Sequence, residues 1–90
     1  MKTLDEVFAI YLNFLNSVDW QMLKTDTVTT LDEGKERAIL EFSNGFTVEL
    51  FNDPKNEEGA RLRCWWDDDE ENAITITTLE QLKHEFNSRN

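Results

Sequence analysis

Apolar side chains recur at three- and four-residue steps through Leu4, Val7, Phe8, Tyr11, Phe14 or Leu15, and Val18, which places them on one stripe of an α-helix. Ala9, Ile10 and Leu12 widen that stripe. Just ahead of it, Thr3-Leu4-Asp5-Glu6 has the form of a capping box: the Thr hydroxyl accepts from the amide three residues on, and the Glu carboxylate accepts from the Thr amide. The pattern predicts a helix from Leu4 to about Val18.

The period then shortens to two. Thr25, Thr27, Val28, Thr29 and Thr30 are β-branched, which disfavours helix and suits a pleated strand, and Asp32-Glu33-Gly34-Lys35 reads as a turn. Ala38, Leu40 and Phe42 alternate with Arg37, Ile39 and Glu41; beyond Asn44-Gly45, Phe46, Val48 and Leu50 alternate with Thr47 and Glu49. A two-residue Asn44-Gly45 loop would set Phe42 opposite Thr47 and mix the two faces. A three-residue Ser43-Asn44-Gly45 loop, with Gly45 left-handed, pairs Phe42 with Phe46, Leu40 with Val48 and Ala38 with Leu50, so it is the expected form.

Asn52 to Gly59 holds the only proline, Pro54, among polar residues, and is a solvated connection. Arg61 to Trp66 is a further strand, with Leu62, Cys64 and Trp66 facing the core and Arg61, Arg63 and Trp65 on the other side. Ile74 and Ile76 mark a short extended piece. Thr78-Leu79-Glu80-Gln81 is a second capping box, and Leu79, Leu82 and Phe86 form one face of a closing helix. This order predicts an α+β two-layer sandwich: an N-terminal helix, an antiparallel meander of three to four strands, and a C-terminal helix on the same sheet surface.

Composition sets bounds on this picture. Ninety residues, 39% of them hydrophobic, make one domain over 1–90 with enough apolar material to fold despite a formal charge of -10. Cys64 is the lone cysteine, so no internal disulfide forms and a reducing, cytoplasmic setting is expected. The start, Met1-Lys2-Thr3, shows no basic-then-apolar leader, and Asp19 closes the longest apolar stretch before it reaches bilayer length.

The charge is concentrated. Asp67, Asp68, Asp69, Glu70 and Glu71 follow Trp65 and Trp66 directly, and no basic residue occurs between Arg63 and Lys83. Such a run repels nucleic acid and anionic membranes and attracts a basic protein surface. Glu57, Glu58, Asp53, Asp32 and Glu33 also fall in connections between strands, so several negative loops crowd one edge if they share an end of the sheet, and which end each loop occupies is not fixed by sequence. Against this stands the plain reading of the run as a solvated loop. Trp65 is the candidate aromatic anchor; with Ile39 and Phe51 it would form an apolar patch on the outer sheet face, unless the stems of Arg61 and Arg63 cover it.

Catalysis is not expected. His84 is the single histidine, Ser17, Ser43 and Ser88 sit where caps and turns use them, and three glycines build no phosphate loop. The acidic run lacks the obligatory glycine of a calcium loop, so neither metal nor cofactor is expected. Two functional readings follow. The first is a small acidic inhibitor that occupies the basic nucleic-acid-binding groove of a bacterial DNA- or RNA-processing enzyme. It is similar in size, charge and layout, though in no motif, to DNA mimics among phage or plasmid counter-defence proteins (anti-CRISPR, anti-restriction) and to nuclease immunity proteins. Its contacts would be Asp67, Asp68, Asp69, Glu70, Glu71, Trp65, Glu57 and Glu58. The second is a non-catalytic interaction or assembly module that uses the outer-face patch.

Overall fold

A computed structural model describes residues 3–56 and 59–89. Helix α1 (Leu4–Ser17) is followed by strands β1 (Leu23–Thr30), β2 (Glu36–Phe42), β3 (Phe46–Asn52), β4 (Arg61–Trp66) and β5 (Ile74–Ile76), then helix α2 (Leu79–Asn87). The strands form one antiparallel sheet in the order β1-β2-β3-β4-β5, a meander in which every strand pairs with its sequence neighbours. The class, helix positions and layer arrangement match the reading from sequence. The strand count is five because β1 and the three-residue β5 both join the ladder.

Local chemistry explains the boundaries. Thr3 Oγ1 accepts from the Glu6 amide at 3.4 Å while Glu6 Oε1 accepts from the Thr3 amide at 3.2 Å, so the first capping box forms in full. At α2 the Gln81 amide donates to Thr78 Oγ1 at 3.1 Å, but the Gln81 side chain accepts from the amide of Thr77, at 2.9 Å. The reciprocal half of that box has moved one residue upstream. Between β2 and β3, Gly45 takes φ +95° and its amide donates to Phe42 O at 3.1 Å, which sets Leu40 opposite Val48 and Ala38 opposite Leu50. That is the register the three-residue loop requires.

Both helices pack on one face of the sheet. Val7, Tyr11 and Phe14 of α1 and Leu82 and Phe86 of α2 meet Leu40, Phe42, Phe46, Val48, Leu50, Leu62, Cys64 and Ile76. Phe14 stands edge-on to Phe42 and Phe86 with centroids 5.9 and 5.4 Å apart, and Phe86 stands edge-on to Phe46 at 5.2 Å. Edge-to-face pairs add about 0.5–1.5 kcal/mol each beyond the area they bury. α1 buries less than its stripe promised: Leu4, Phe8 and Leu12 remain exposed. No helix among the described residues is long and apolar enough to cross a membrane.

The meander decides which end of the sheet each acidic loop occupies. Successive antiparallel strands reverse direction, so their connections alternate between the two ends of the sheet. The β1–β2 and β3–β4 connections, which carry Asp32, Glu33 and Asp53, therefore lie at one end, and the β4–β5 connection with the acidic run lies at the other. The acidic loops do not crowd a single edge. Glu57 and Glu58 fall outside the described residues.

Candidate functional site: the acidic β4–β5 connection

The run after Trp66 does not trail into solvent as a string of five equivalent carboxylates. Asp67 and Asp68 both adopt left-handed backbone, at φ 51° and 62°, and the Asp69 amide donates to Trp66 O at 2.9 Å, closing a tight turn of the mirror-image type. Glu33 is the only other described non-glycine residue with positive φ. Aspartate tolerates this region better than most residues, but two in succession remain costly and persist only where neighbours hold them.

The neighbours are identifiable. The Asp67 amide donates to Gly45 O at 2.9 Å, tying the run to the β2–β3 turn at the same end of the sheet. Asp67 Oδ2 accepts from Arg89 Nη1 at 2.7 Å, and the Arg89 guanidinium also lies 4.8 Å from the Trp66 ring centroid, as in a cation–π contact. A Cβ on Gly45 would come to 2.5 Å from Asp67 Oδ1, the end of a side chain that can swing aside, so it is the left-handed φ of +95° that favours glycine there. Beyond the turn, Asn72 Nδ2 donates to Asp69 Oδ2 at 2.8 Å, and a single helical turn, Glu70–Asn72, follows.

Glu70 belongs to the outer face of the sheet. There Glu49, at the middle of β3 and only 2% exposed, sits between two arginines. Arg63 Nε donates to Glu49 Oε1 at 2.7 Å, and Arg37 Nε lies 2.7 Å from Glu49 Oε2 as an ion contact without hydrogen-bond alignment. Glu70 closes the ring from above: its Oε1 accepts from Arg37 Nη2 at 3.2 Å and its Oε2 from Arg63 Nη2 at 3.3 Å. The hydrogen bond to Glu49 favours the protonated Arg63 and raises its pKa further, against the opposing effect of partial burial. A carboxylate buried to this degree is tolerable because two guanidinium groups neutralise it.

Trp65 lies on the outer face beside this ring, as the alternation along β4 predicts, but it does not stand exposed there. The side chain is 6% exposed on the outer face, with Arg63 at 5.6 Å from its ring, so it is not a free anchor. Arg61 lies likewise at 4.6 Å from the Phe51 ring. Phe51 and Trp65 of the outer apolar patch are thus covered by arginine, because planar guanidinium groups stack on aromatic faces, and Ile39 is half-buried.

The five carboxylates therefore differ in role. Asp67 and Glu70 are spent on Arg89, Arg37 and Arg63; Asp69 is oriented by Asn72; and Asp68 and Glu71 have no hydrogen-bond or ionic partner among the described residues. Asp68, Asp69 and Glu71 are the exposed acids left without a cation. Beside Asp67 and Asp68 a hollow of about 300 Å³ is also lined by Lys24, Glu41 and Thr47. Among the described residues no group of three or more His, Cys, Asp or Glu is arranged to hold a metal ion. Ser17 and Ser88 donate to the carbonyls of Phe14 and Glu85 at their helix ends. Reasoning from sequence missed Arg37, Arg63, Arg89 and Gly45 as partners of the run, and Glu49 as the acid that Arg37 and Arg63 share with Glu70. Comparison with protein-family models, curated proteins and solved structures gives no match, so neither family nor activity is carried over from a relative.

Proposed function

We propose that this chain is a small non-catalytic binding protein whose acidic β4–β5 connection engages a basic protein surface. The surface it suits is the nucleic-acid-binding groove of a bacterial DNA- or RNA-processing enzyme, which it would occupy as an inhibitor. The observation that carries the reading is the backbone of the run: successive left-handed aspartates, pinned by Gly45 O and Arg89, hold Asp68, Asp69 and Glu71 in one shape instead of leaving them on a loose loop. Ordering carboxylates before contact lowers the entropic cost of binding, and their charge accelerates encounter with a cationic groove. The contact set narrows to those three, with Asp67 and Glu70 as the residues that brace them. A lone, buried Cys64 thiol fits a cytoplasmic setting.

The test is capture from a bacterial lysate on the immobilised chain at low salt, followed by elution with duplex DNA. Nucleic-acid-processing enzymes released by DNA support the proposal, as does loss of capture by the Asp68→Asn, Asp69→Asn, Glu71→Gln variant. Undiminished capture by that variant, or capture that neither DNA nor salt disturbs, refutes it, since charge contacts weaken as ionic strength rises.

A further inference from the structure

The sheet has two edges of unequal length. β5 offers three residues, whereas β1 runs for eight and, among the described residues, pairs with β2 alone. Edges of that length are ordinarily blunted by lysine, proline or a bulge, because their unpaired amides and carbonyls template another strand. Here such devices are confined to the start of β1, where a register shift between Leu23 and Thr25 accompanies Lys24. From Thr25 to Thr30 the pairing with β2 is unbroken, every residue is exposed, and Asp26 carries the only charge.

The backbone bonds identify the residues that face the open side. The Leu31 amide donates to Lys35 O at 2.6 Å, continuing the β1–β2 ladder past the Thr30–Glu36 pair. In an antiparallel ladder alternate residues exchange bonds with the neighbour, so Thr29 and Thr27 also turn to β2, while Thr30, Val28 and Asp26 turn their amides and carbonyls outward. β2 agrees: the Gly45 amide donates to Phe42 O, which turns Phe42, Leu40 and Ala38 toward β3 and leaves Ile39 and Arg37 to Thr27 and Thr29. The side chains of the outward residues stand on the helix side, since Val28 pairs with Ala38 and Asp26 with the core residue Leu40, yet Val28 is 73% exposed and no helix covers it.

This edge is complementary to itself. With a twofold axis perpendicular to the sheet at Val28, a second copy sets Val28 against Val28 and Asp26 against Thr30 on either side, and each of these pairs joins two outward-facing residues. The outward amides of Asp26, Val28 and Thr30 in each copy then all donate across the join. Asp26 meets a hydroxyl and Val28 an identical apolar side chain, while on the outer face Thr27 meets Thr29 and Thr25 meets Leu31, itself 38% exposed. Other registers are worse. An axis at Asp26 sets the two acids face to face, and an axis at Thr27 leaves them diagonal, ~7–8 Å apart, with its outer bonds falling on the shifted Lys24.

We infer that β1 is a docking edge for a second copy of this chain, which adds antiparallel about Val28 and makes the two sheets continuous. A single edge over residues 25–31 is smaller than the ~20–30 residues a side of a standard stable interface, so association is weak and concentration-dependent. Charge sets its salt response. Each copy carries -10, but the acidic runs follow β4 on the far side of each sheet and end up ~30 Å or more apart at ordinary strand spacing. Screening therefore relieves repulsion without breaking contacts, and salt tightens this dimer whereas it weakens capture by the run. The edge shares no residue with the run, so the two are separable by mutation.

The test is sedimentation equilibrium of the full chain up to about 1 mM, at low and at high salt, with amide hydrogen exchange read at Asp26, Val28 and Thr30. The expected result is a monomer–dimer equilibrium that tightens with salt and slows exchange of those three amides as concentration rises. Val28→Pro removes the central outward amide without touching the ladder to β2, and is expected to weaken dimerisation about tenfold or more. Val28→Lys sets two cations face to face and is expected to do the same, which keeps the result readable if the proline variant does not fold. The Asp68→Asn, Asp69→Asn, Glu71→Gln variant is expected to dimerise at least as well as the parent. A chain that stays monomeric at about 1 mM in high salt overturns the inference. So does a dimer indifferent to both Val28 substitutions, a dimer that protects other amides instead, or protection of the Val28 amide that appears only when a different protein is added.

Discussion

Glu49 accepts a hydrogen bond from Arg63 Nε at 2.7 Å in the middle of the outer sheet face, directly across the β3–β4 pair. Removing one member of a buried ionic set leaves the others uncompensated. Glu49→Gln is therefore expected to destabilise the fold by about 2–4 kcal/mol, because Arg37 and Arg63 then share only Glu70. Glu70→Gln, at a half-exposed position, is expected to cost no more than about 1 kcal/mol. Urea denaturation of the two variants checks the order; equal losses would mean that Glu49 is not the keystone of the ring.

Gly45 is constrained twice, by φ +95° and by the approach of Asp67 Oδ1 to within 2.5 Å of an added Cβ. Gly45→Ala is expected to cost about 1–3 kcal/mol. In an Asp67→Gly background the steric part disappears, so the cost of Gly45→Ala should shrink. A double-mutant cycle in thermal unfolding measures this coupling, and strict additivity would contradict the approach of the Asp67 carboxylate to position 45.

Asp68 combines left-handed backbone with a side chain that has no partner among the described residues. Asp68→Gly relieves the backbone and is expected to raise stability by about 0.5–1 kcal/mol, while Asp68→Asn, which also tolerates φ > 0, leaves stability nearly unchanged. Both should weaken capture of a basic partner. Gain of stability with loss of binding is the signature of strain kept for function. A glycine variant that binds as well as the parent would count against a role for the Asp68 carboxylate.

Alkaline pH should loosen the fold through Cys64 and Tyr11. Burial pushes the Cys64 thiol up from 9.0 to about 12, with Glu85 adding to the rise. Burial likewise pushes the Tyr11 phenol up from 10.0 to about 12, with Asp26 adding to it. The folded state holds both protons more tightly than the unfolded state, so stability is full below pH 9 and falls as pH rises from there toward 12. Urea midpoints measured across that range should decline, and Cys64→Ala should make the decline less steep. A flat profile would contradict burial of these two groups.

Much of the fold was legible because its signals are local. The Thr3 capping box, the period of α1 and the Ser43-Asn44-Gly45 loop each depend on residues within a few positions of one another, and the loop fixes the β2–β3 register. The ends of the connections follow from antiparallel order, but only once β1 and β5 are known to complete the meander. Glu49 was the missed signal: an acid at an outer-face position of β3, with Arg37 and Arg63 at outer-face positions of the flanking strands. Seeing the ring needed the β3–β4 register, and no short loop sets it, because that connection runs through Pro54 and Gly59. The division of the acidic run between bracing and free carboxylates depends on Arg89 and Gly45, both far from it in sequence.

Backbone ¹⁵N relaxation of Asp68, Asp69, Glu70 and Glu71 asks directly whether the run is a preset surface. Order parameters near ~0.85, equal to those of β3 and β4, are the expected result for a turn held by Gly45 O, Arg89 and the arginine ring. Values below about 0.6 at these four amides would mark a solvated loop and contradict the basis of the proposed binding site.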